Sequence, residues 1–233
     1  MIESFVPQAS SFAAEIDNLI LLVTVITMAW FVAAQAMFFG FIFKFREKPG
    51  QRAMHIDGYK PEHKRWITYP HNAVLVFDVV ILVFAVKAWN HVKIDQPIPN
   101  TTVQVIGQRW AWTFVHAGND NTVGTADDIK TADELHVKLG DIVRFEGSSR
   151  DTLHSFSVPA FRLKQDIIPG RVNSGWFQPT MAGTFTIQCT EICGIGHGVM
   201  AARIVVHPAE PSTDAAMPVD YATWMGANAP AGT

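Results

Sequence analysis

The chain has 233 residues, 48% of them hydrophobic, a formal net charge of −3 and only two cysteines. That length suits one ordinary domain plus membrane segments, and a lone cysteine pair excludes a disulfide framework. The sequence contains no Cys-x-x-Cys-His run, which excludes a covalent c-type haem.

The charges divide unevenly. Residues 1–93 hold nine Lys/Arg and seven Asp/Glu, and residues 94–233 hold nine and fourteen. The second part is an acidic body, unsuited to nucleic acid and suited to a basic protein partner.

Leu19 to Phe43 is a run of twenty-five residues without a charge. As a helix it rises about 37 Å at ~1.5 Å per residue, enough to cross a bilayer core. Lys44, Arg46, Lys48 and then Pro49-Gly50 end it. A second apolar run, Ile67 to Val86, carries His71 near its start and one carboxylate, Asp78, and closes with Lys87 and Trp89. These patterns predict two membrane helices, about 18–43 and 67–89. An intramembrane carboxylate serves either a proton path or a hydrogen bond to a neighbouring helix.

The loop between the runs contains Lys44, Arg46, Lys48, Arg52, Lys60, Lys64 and Arg65, whereas the segment before them has Glu3, Glu15 and Asp17 and no basic residue. Positive loops stay inside. The reading is a helical hairpin in the cell's inner membrane, with its loop in the cytoplasm and both termini outside. The acidic start and long apolar run predict a retained anchor rather than a cleaved leader.

From Thr101 onward the period becomes two. Val103 and Val105 alternate with polar residues, and Trp110, Trp112 and Phe114 do so less regularly. Leu135–Leu139, Gly140-Asp141 and Ile142–Phe145 read as a hairpin with a tight turn. Further strands are expected near Ser155–Val158, Thr184–Gln188 and Arg203–Val206, giving a β-sandwich or small barrel. Asn119–Ile129 is polar enough to suggest calcium, but its spacing is not that of an EF-hand, and turn chemistry favours a hairpin connection. Beyond Pro208, an Ala- and Pro-rich tail is expected to lie loosely on the surface.

Cys189-Thr-Glu-Ile-Cys193-Gly-Ile-Gly-His197-Gly-Val-Met200 gathers two thiols, an imidazole and a thioether within twelve residues. Soft sulfur with imidazole suits copper. Three chemistries compete: a structural disulfide, a copper-delivery site at a helix start with one membrane anchor, and an electron-transfer copper site on a β-sandwich. The disulfide leaves His197 and Met200 without a role. A mononuclear blue-copper site needs one Cys, two His and a Met. Here a second Cys is present, and the second His must come from elsewhere, with His154 the candidate. Two bridging thiolates, two imidazoles, a thioether and a backbone carbonyl complete a shell for two coppers.

His154 followed by Cys189-x-Glu191-x-Cys193-x-x-x-His197-x-x-Met200 resembles the CuA motif of cytochrome c oxidase subunit II. The resemblance extends to Pro7-x-Ala9-Ser10 with Ile16-Asp17, to Trp66 and Pro70, to Gly107-Gln108-Arg109-Trp110-Ala111-Trp112, and to Lys164-x-Asp166-x-x-Pro169-Gly170-Arg171. It implies that His154, Cys189, Cys193, His197 and Met200 bind two coppers by side chain. It implies that Glu191 offers its backbone carbonyl to copper and its carboxylate to a magnesium shared with the large subunit. Trp110 would be the electron entry point, where a core aromatic would otherwise be expected. Asp120, Asp127, Asp128, Asp133, Asp151 and Asp166 become candidates for attracting a basic donor.

The sequence departs from the family where a Glu often precedes the second-helix Trp by three residues. His63 stands there, with Glu62 beside it; Ile67 follows Trp66, and Gln108-Arg109 replaces the usual His-Gln. Either Glu62, His63 or Asp78 takes that place in proton uptake, or the route differs from the family's.

The expected organisation is an N-terminal segment with a two-helix anchor over 1–93, an exported cupredoxin-like domain over 94–210, and a tail over 211–233. The implied function is electron transfer, from a soluble cytochrome c or small copper protein to haem in subunit I, where oxygen is reduced to water. Oxidase subunits and membrane lipid are the expected neighbours. The alternatives are the CuA subunit of a related nitric oxide reductase and a membrane-anchored copper-delivery protein.

Overall fold

The computed structural model describes residues 5–52, 57–214 and 216–230. Glu3 lies outside them, as do the last three residues of the tail. The chain forms two compact units, one spanning Glu15–Asn90 and one combining Met1–Ala14 with His91–Thr233.

The helical unit is built on α1 (Ala13–Lys44) and α2 (Pro61–Trp89). Both are long and apolar enough to cross a membrane. Each starts earlier than its apolar run. Pro61 opens α2 because a helix's first residue has no use for its N–H. Trp30 meets Phe77 edge to face at 5.8 Å. Trp66, Tyr69, Pro70, Ala73 and Phe77 form the stripe of α2 that faces Trp30, Ala33 and Met37 of α1.

The other unit is a β-sandwich of two five-stranded sheets. The strands are β1 (Thr101–Gln108), β2 (Ala111–His116), β3 (Ile129–Ala132), β4 (Glu134–Lys138), β5 (Val143–Ser149), β6 (His154–Val158), β7 (Leu163–Ile167), β8 (Asn173–Phe177), β9 (Gly183–Cys189) and β10 (Ala201–His207). One sheet runs β3-β2-β1-β5-β8 and the other β4-β10-β9-β6-β7. Trp112, Phe114, Phe145, Phe156, Phe161 and Phe177 fill the space between them without exposure. The polar connection over Asn119–Asp128 joins antiparallel β2 and β3.

The hairpin expected around Gly140-Asp141 does not form. β4 pairs in parallel with β10, and β5 pairs in parallel with β1, so the turn carries the chain from one sheet to the other. A period-two pattern marks which side chains face inward, and an inward face is the same whether the next strand pairs with this one or lies opposite it.

Residues before α1 strap onto the sandwich. The Ala9 amide donates to the Ala160 carbonyl at 2.8 Å, the Ser10 hydroxyl donates to the Phe161 carbonyl at 2.8 Å, and Phe12 meets Trp176 edge to face at 5.4 Å.

The tail also departs from its expected loose course. It forms α3 (Tyr221–Asn228), capped by Asp220, whose carboxylate accepts from the Thr223 amide at 3.0 Å. Trp224 is buried and stacks on His136 with ring centroids 4.3 Å apart. One apolar anchor among small residues is enough to dock a short helix, and composition does not reveal it.

Candidate metal centre

Cys189 ends β9 and Met200 precedes β10, and these strands pair antiparallel. The Cys189 amide donates to the Met200 carbonyl at 3.2 Å, closing the residues between them into a loop. Gly194 sits at φ +124°, a conformation that side-chain-bearing residues avoid. The His197 amide then donates to the Gly194 carbonyl at 3.1 Å and starts a single 3-10 turn, His197–Val199, which carries the imidazole back over Cys193.

His154 arrives from a different part of the chain. It begins β6, which pairs with β9 so that Phe156 lies opposite Cys189. The result is a string of donors. His154 Nδ1 lies 3.9 Å from Cys189 Sγ, which lies 3.7 Å from Cys193 Sγ; that sulfur in turn lies 3.7 Å from both His197 Nδ1 and Met200 Sδ. The Glu191 carbonyl oxygen is 3.3 Å from Cys189 Sγ. Each sulfur thus has its own imidazole, and the sulfurs are neighbours.

This donor set fits soft metal ions. Ligands at about 2.3 Å for sulfur and ~2.0 Å for imidazole stand roughly 3.5–3.8 Å apart around a tetrahedral ion. His154, Cys189 and Cys193 place their ligand atoms within 4.8 Å of one another, all buried. A disulfide is not formed: both cysteines are free, and 3.7 Å is far beyond a sulfur–sulfur bond of about 2.05 Å. Cys189 leads into a loop and not into a helix N-terminus, which removes the frame assumed for a copper-delivery site.

The sequence marks Asp151 only as a candidate for attracting a basic donor. Its Oδ1 accepts from Nε2 of His154 at 2.8 Å, and its Oδ2 accepts from the Arg109 amide at 2.7 Å. Partial burial works against this carboxylate, but hydrogen bonds from His154, Arg109 and Thr152 outweigh it and bring its pKa down to about 2. An ionised acceptor on Nε2 fixes the tautomer that frees Nδ1, the nitrogen turned toward sulfur. The spacing of three residues between Asp151 and His154 was the available signal. Burial and the neighbouring Cys189 push the Cys193 thiol well above the ordinary range. A thiolate here therefore calls for a cation beside it.

Trp110 sits on the turn between β1 and β2 and is 41% exposed, whereas Trp112 is the core aromatic at 0%. The Trp110 indole lies flat against the loop. A Cβ built on Gly196 would come within 2.4 Å of it, and one on Gly194 within 3.3 Å. Ile192, Ile195 and Val199 of the same loop are exposed. Gly107 likewise leaves room for the His154 ring, which a Cβ there would meet at 3.0 Å.

The remaining acids mostly tie down backbone. Asp133 accepts from the Trp112 amide, Asp120 and Asp127 accept within their own loop, and Asp128 accepts from the Gly124 amide. Asp166 accepts from the Ser155 hydroxyl at 2.8 Å.

Residues 101–208 match the family model described as cytochrome c oxidase subunit II, periplasmic domain. The chain is 30% identical over 206 residues to the alternative cytochrome c oxidase subunit 2 of Bradyrhizobium diazoefficiens, covering 79% of this chain and 69% of that one. It is 38% identical over 130 residues to the cytochrome c oxidase subunit 2 of Thermostichus vulcanus, covering 56% of this chain and 34% of that one. Among solved structures, the periplasmic domain of subunit II of cytochrome oxidase of Bradyrhizobium japonicum matches with 24% identity and a TM-score of 0.46, over 57% of this chain and 96% of that chain. The chain thus spans about two thirds of the first relative and about a third of the second.

Proposed function

We infer the function from one premise: the chain belongs to the cytochrome c oxidase subunit II family. The observation that carries the reading is the paired-sulfur string, with one imidazole on each sulfur. His154, Cys189, Cys193, His197 and Met200 would hold two coppers by side chain, and Glu191 would hold one by its carbonyl. A copper pair bound there would supply one-electron redox chemistry.

The chain's own residues shape that exchange. β6, β9 and the closed loop hold the ligands in one arrangement, which keeps structural change on electron uptake small. Asp151 orients His154. Trp110 presents an exposed ring on the loop's outer side and serves as the entry point for electrons from a soluble cytochrome c or small copper protein. The acidic excess of residues 94–233 attracts a basic donor, an effect that fades with salt. Electrons then pass to haem in subunit I of a terminal oxidase, where oxygen becomes water. The Glu191 carboxylate would reach a magnesium at that subunit boundary. The seven basic residues in and beside the interhelical loop favour a cytoplasmic loop, with the copper domain and both termini on the periplasmic side.

The test is to load the purified full-length chain with copper and record its electron paramagnetic resonance. One unpaired electron split equally by two copper nuclei is expected. Splitting by a single nucleus, or a silent cuprous ion, overturns the reading in favour of a mononuclear or copper-delivery site.

A further inference from the structure

The apolar run of α2 contains one imidazole, His71, and one carboxylate, Asp78, and both are exposed on the helix surface. They are seven residues apart. At 3.6 residues per turn that places them only about 20° apart around the axis and roughly 10 Å apart along it. Val74 and Leu82 lie on the same stripe. The stripe that faces α1 runs instead through Trp66, Pro70, Ala73 and Phe77. Asp78 is one residue on from Phe77, about 100° further round, so α1 does not cover it.

A carboxylate within a span of this hydropathy cannot stay against lipid without a hydrogen-bond donor or a cation. Neither reach to the headgroups nor α1 supplies one, because Asp78 stands near the middle of the Ile67–Val86 run and its side chain is short. We propose that the His71–Val74–Asp78–Leu82 stripe of α2 is the contact face for a membrane helix of a partner subunit, which offers Asp78 a hydrogen-bond donor at mid-membrane depth. This rests on the oxidase reading only in identifying the partner as the large haem-bearing subunit. The chemistry demanded of that partner follows from Asp78 itself.

The assembled complex tests this. Asp78→Asn keeps hydrogen bonding and should leave co-purification of the large subunit near its original level. Asp78→Leu should weaken detergent-resistant association about threefold to tenfold, the range found for single interhelical hydrogen bonds. Photocrosslinkers at Val74 and Leu82 should join the partner, and those at Val76 and Val83, on the far side, should not. The proposal is overturned if Asp78→Leu co-purifies as well as the unaltered chain, including the case where turnover alone is lost, which would assign Asp78 to proton movement. Crosslinking from Val76 and Val83 in preference to Val74 and Leu82 also overturns it. The paired-copper spectrum, read on the same samples, separates failure here from failure of the electron-transfer reading.

Discussion

Asp151 Oδ1 lies 2.8 Å from Nε2 of His154, and the other nitrogen of that ring points at Cys189 Sγ, 3.9 Å away. One short side chain thereby decides which face of a buried imidazole is available for a metal. The same carboxylate accepts from the Arg109 amide, next to Trp110, so it ties the ligand strand to the turn that carries the entry tryptophan.

Asp151→Ala should fold, because the carboxylate is partly exposed at the sandwich edge, and should bind copper about 10–100-fold more weakly, as loss of a histidine's outer partner generally does. Copper titration of the purified chain measures this. Unchanged affinity would mean that the strands alone orient His154.

The two sulfurs are expected to differ from the thioether in what their loss does. Cys193→Ser should abolish the shared-valence spectrum, since its sulfur sits within 3.7 Å of Cys189, His197 and Met200 alike. Met200→Leu should retain copper and shift its reduction potential, because a weak axial ligand tunes the metal more than it holds it. Redox titration with optical detection distinguishes the cases.

Gly196→Ala should act on Trp110 and leave the ligands in place. The added methyl would stand 2.4 Å from the indole, so the ring must move off the loop. Stopped-flow reduction by a soluble donor should slow severalfold with the copper spectrum retained. Equal rates would place electron entry elsewhere.

At the other end of the sandwich, three buried histidines hold the tail. His136 Nδ1 is 2.9 Å from His207 Nε2, the His136 amide donates to His116 Nε2 at 3.0 Å, and Trp224 covers them. Burial brings His116 and His136 down to about 4, the latter helped by the charge of His207. Burial lowers His207 also. Glu134, beside His136, and Asp220, near His207, pull the other way without prevailing. The folded form therefore binds these protons less readily than the unfolded form, whose histidines titrate near 6.5. Stability from this cluster is complete above about pH 6.5 and is lost as pH falls toward about 4. Proteolysis of α3 and near-ultraviolet circular dichroism across that range should show it. Trp224→Ala should cost about 3–5 kcal/mol and flatten the profile.

The helices were legible because a long uncharged run has only one way to satisfy its backbone in lipid. The strands were partly legible. β1, β6, β9 and β10 follow alternating patterns, but β3, β7 and β8 are four or five residues long and carry Lys130, Asp166 or Gly175 within them, so their pattern is too brief to read. The Gly140 turn was misplaced because alternation reports a face and not a partner.

The sequence by itself determined the ligand chemistry: two thiols, an imidazole and a thioether fall within twelve residues, so local chain geometry alone keeps them close. Tertiary structure decided the rest. His154 stands 35 residues before Cys189 and reaches it only because β6 pairs with β9. Asp151 becomes a positioning residue, Trp110 a lid on the loop, and the tail a docked helix. Those roles depend on which strands and turns come side by side, and residues distant in sequence carry no local mark of the neighbour that folding will give them.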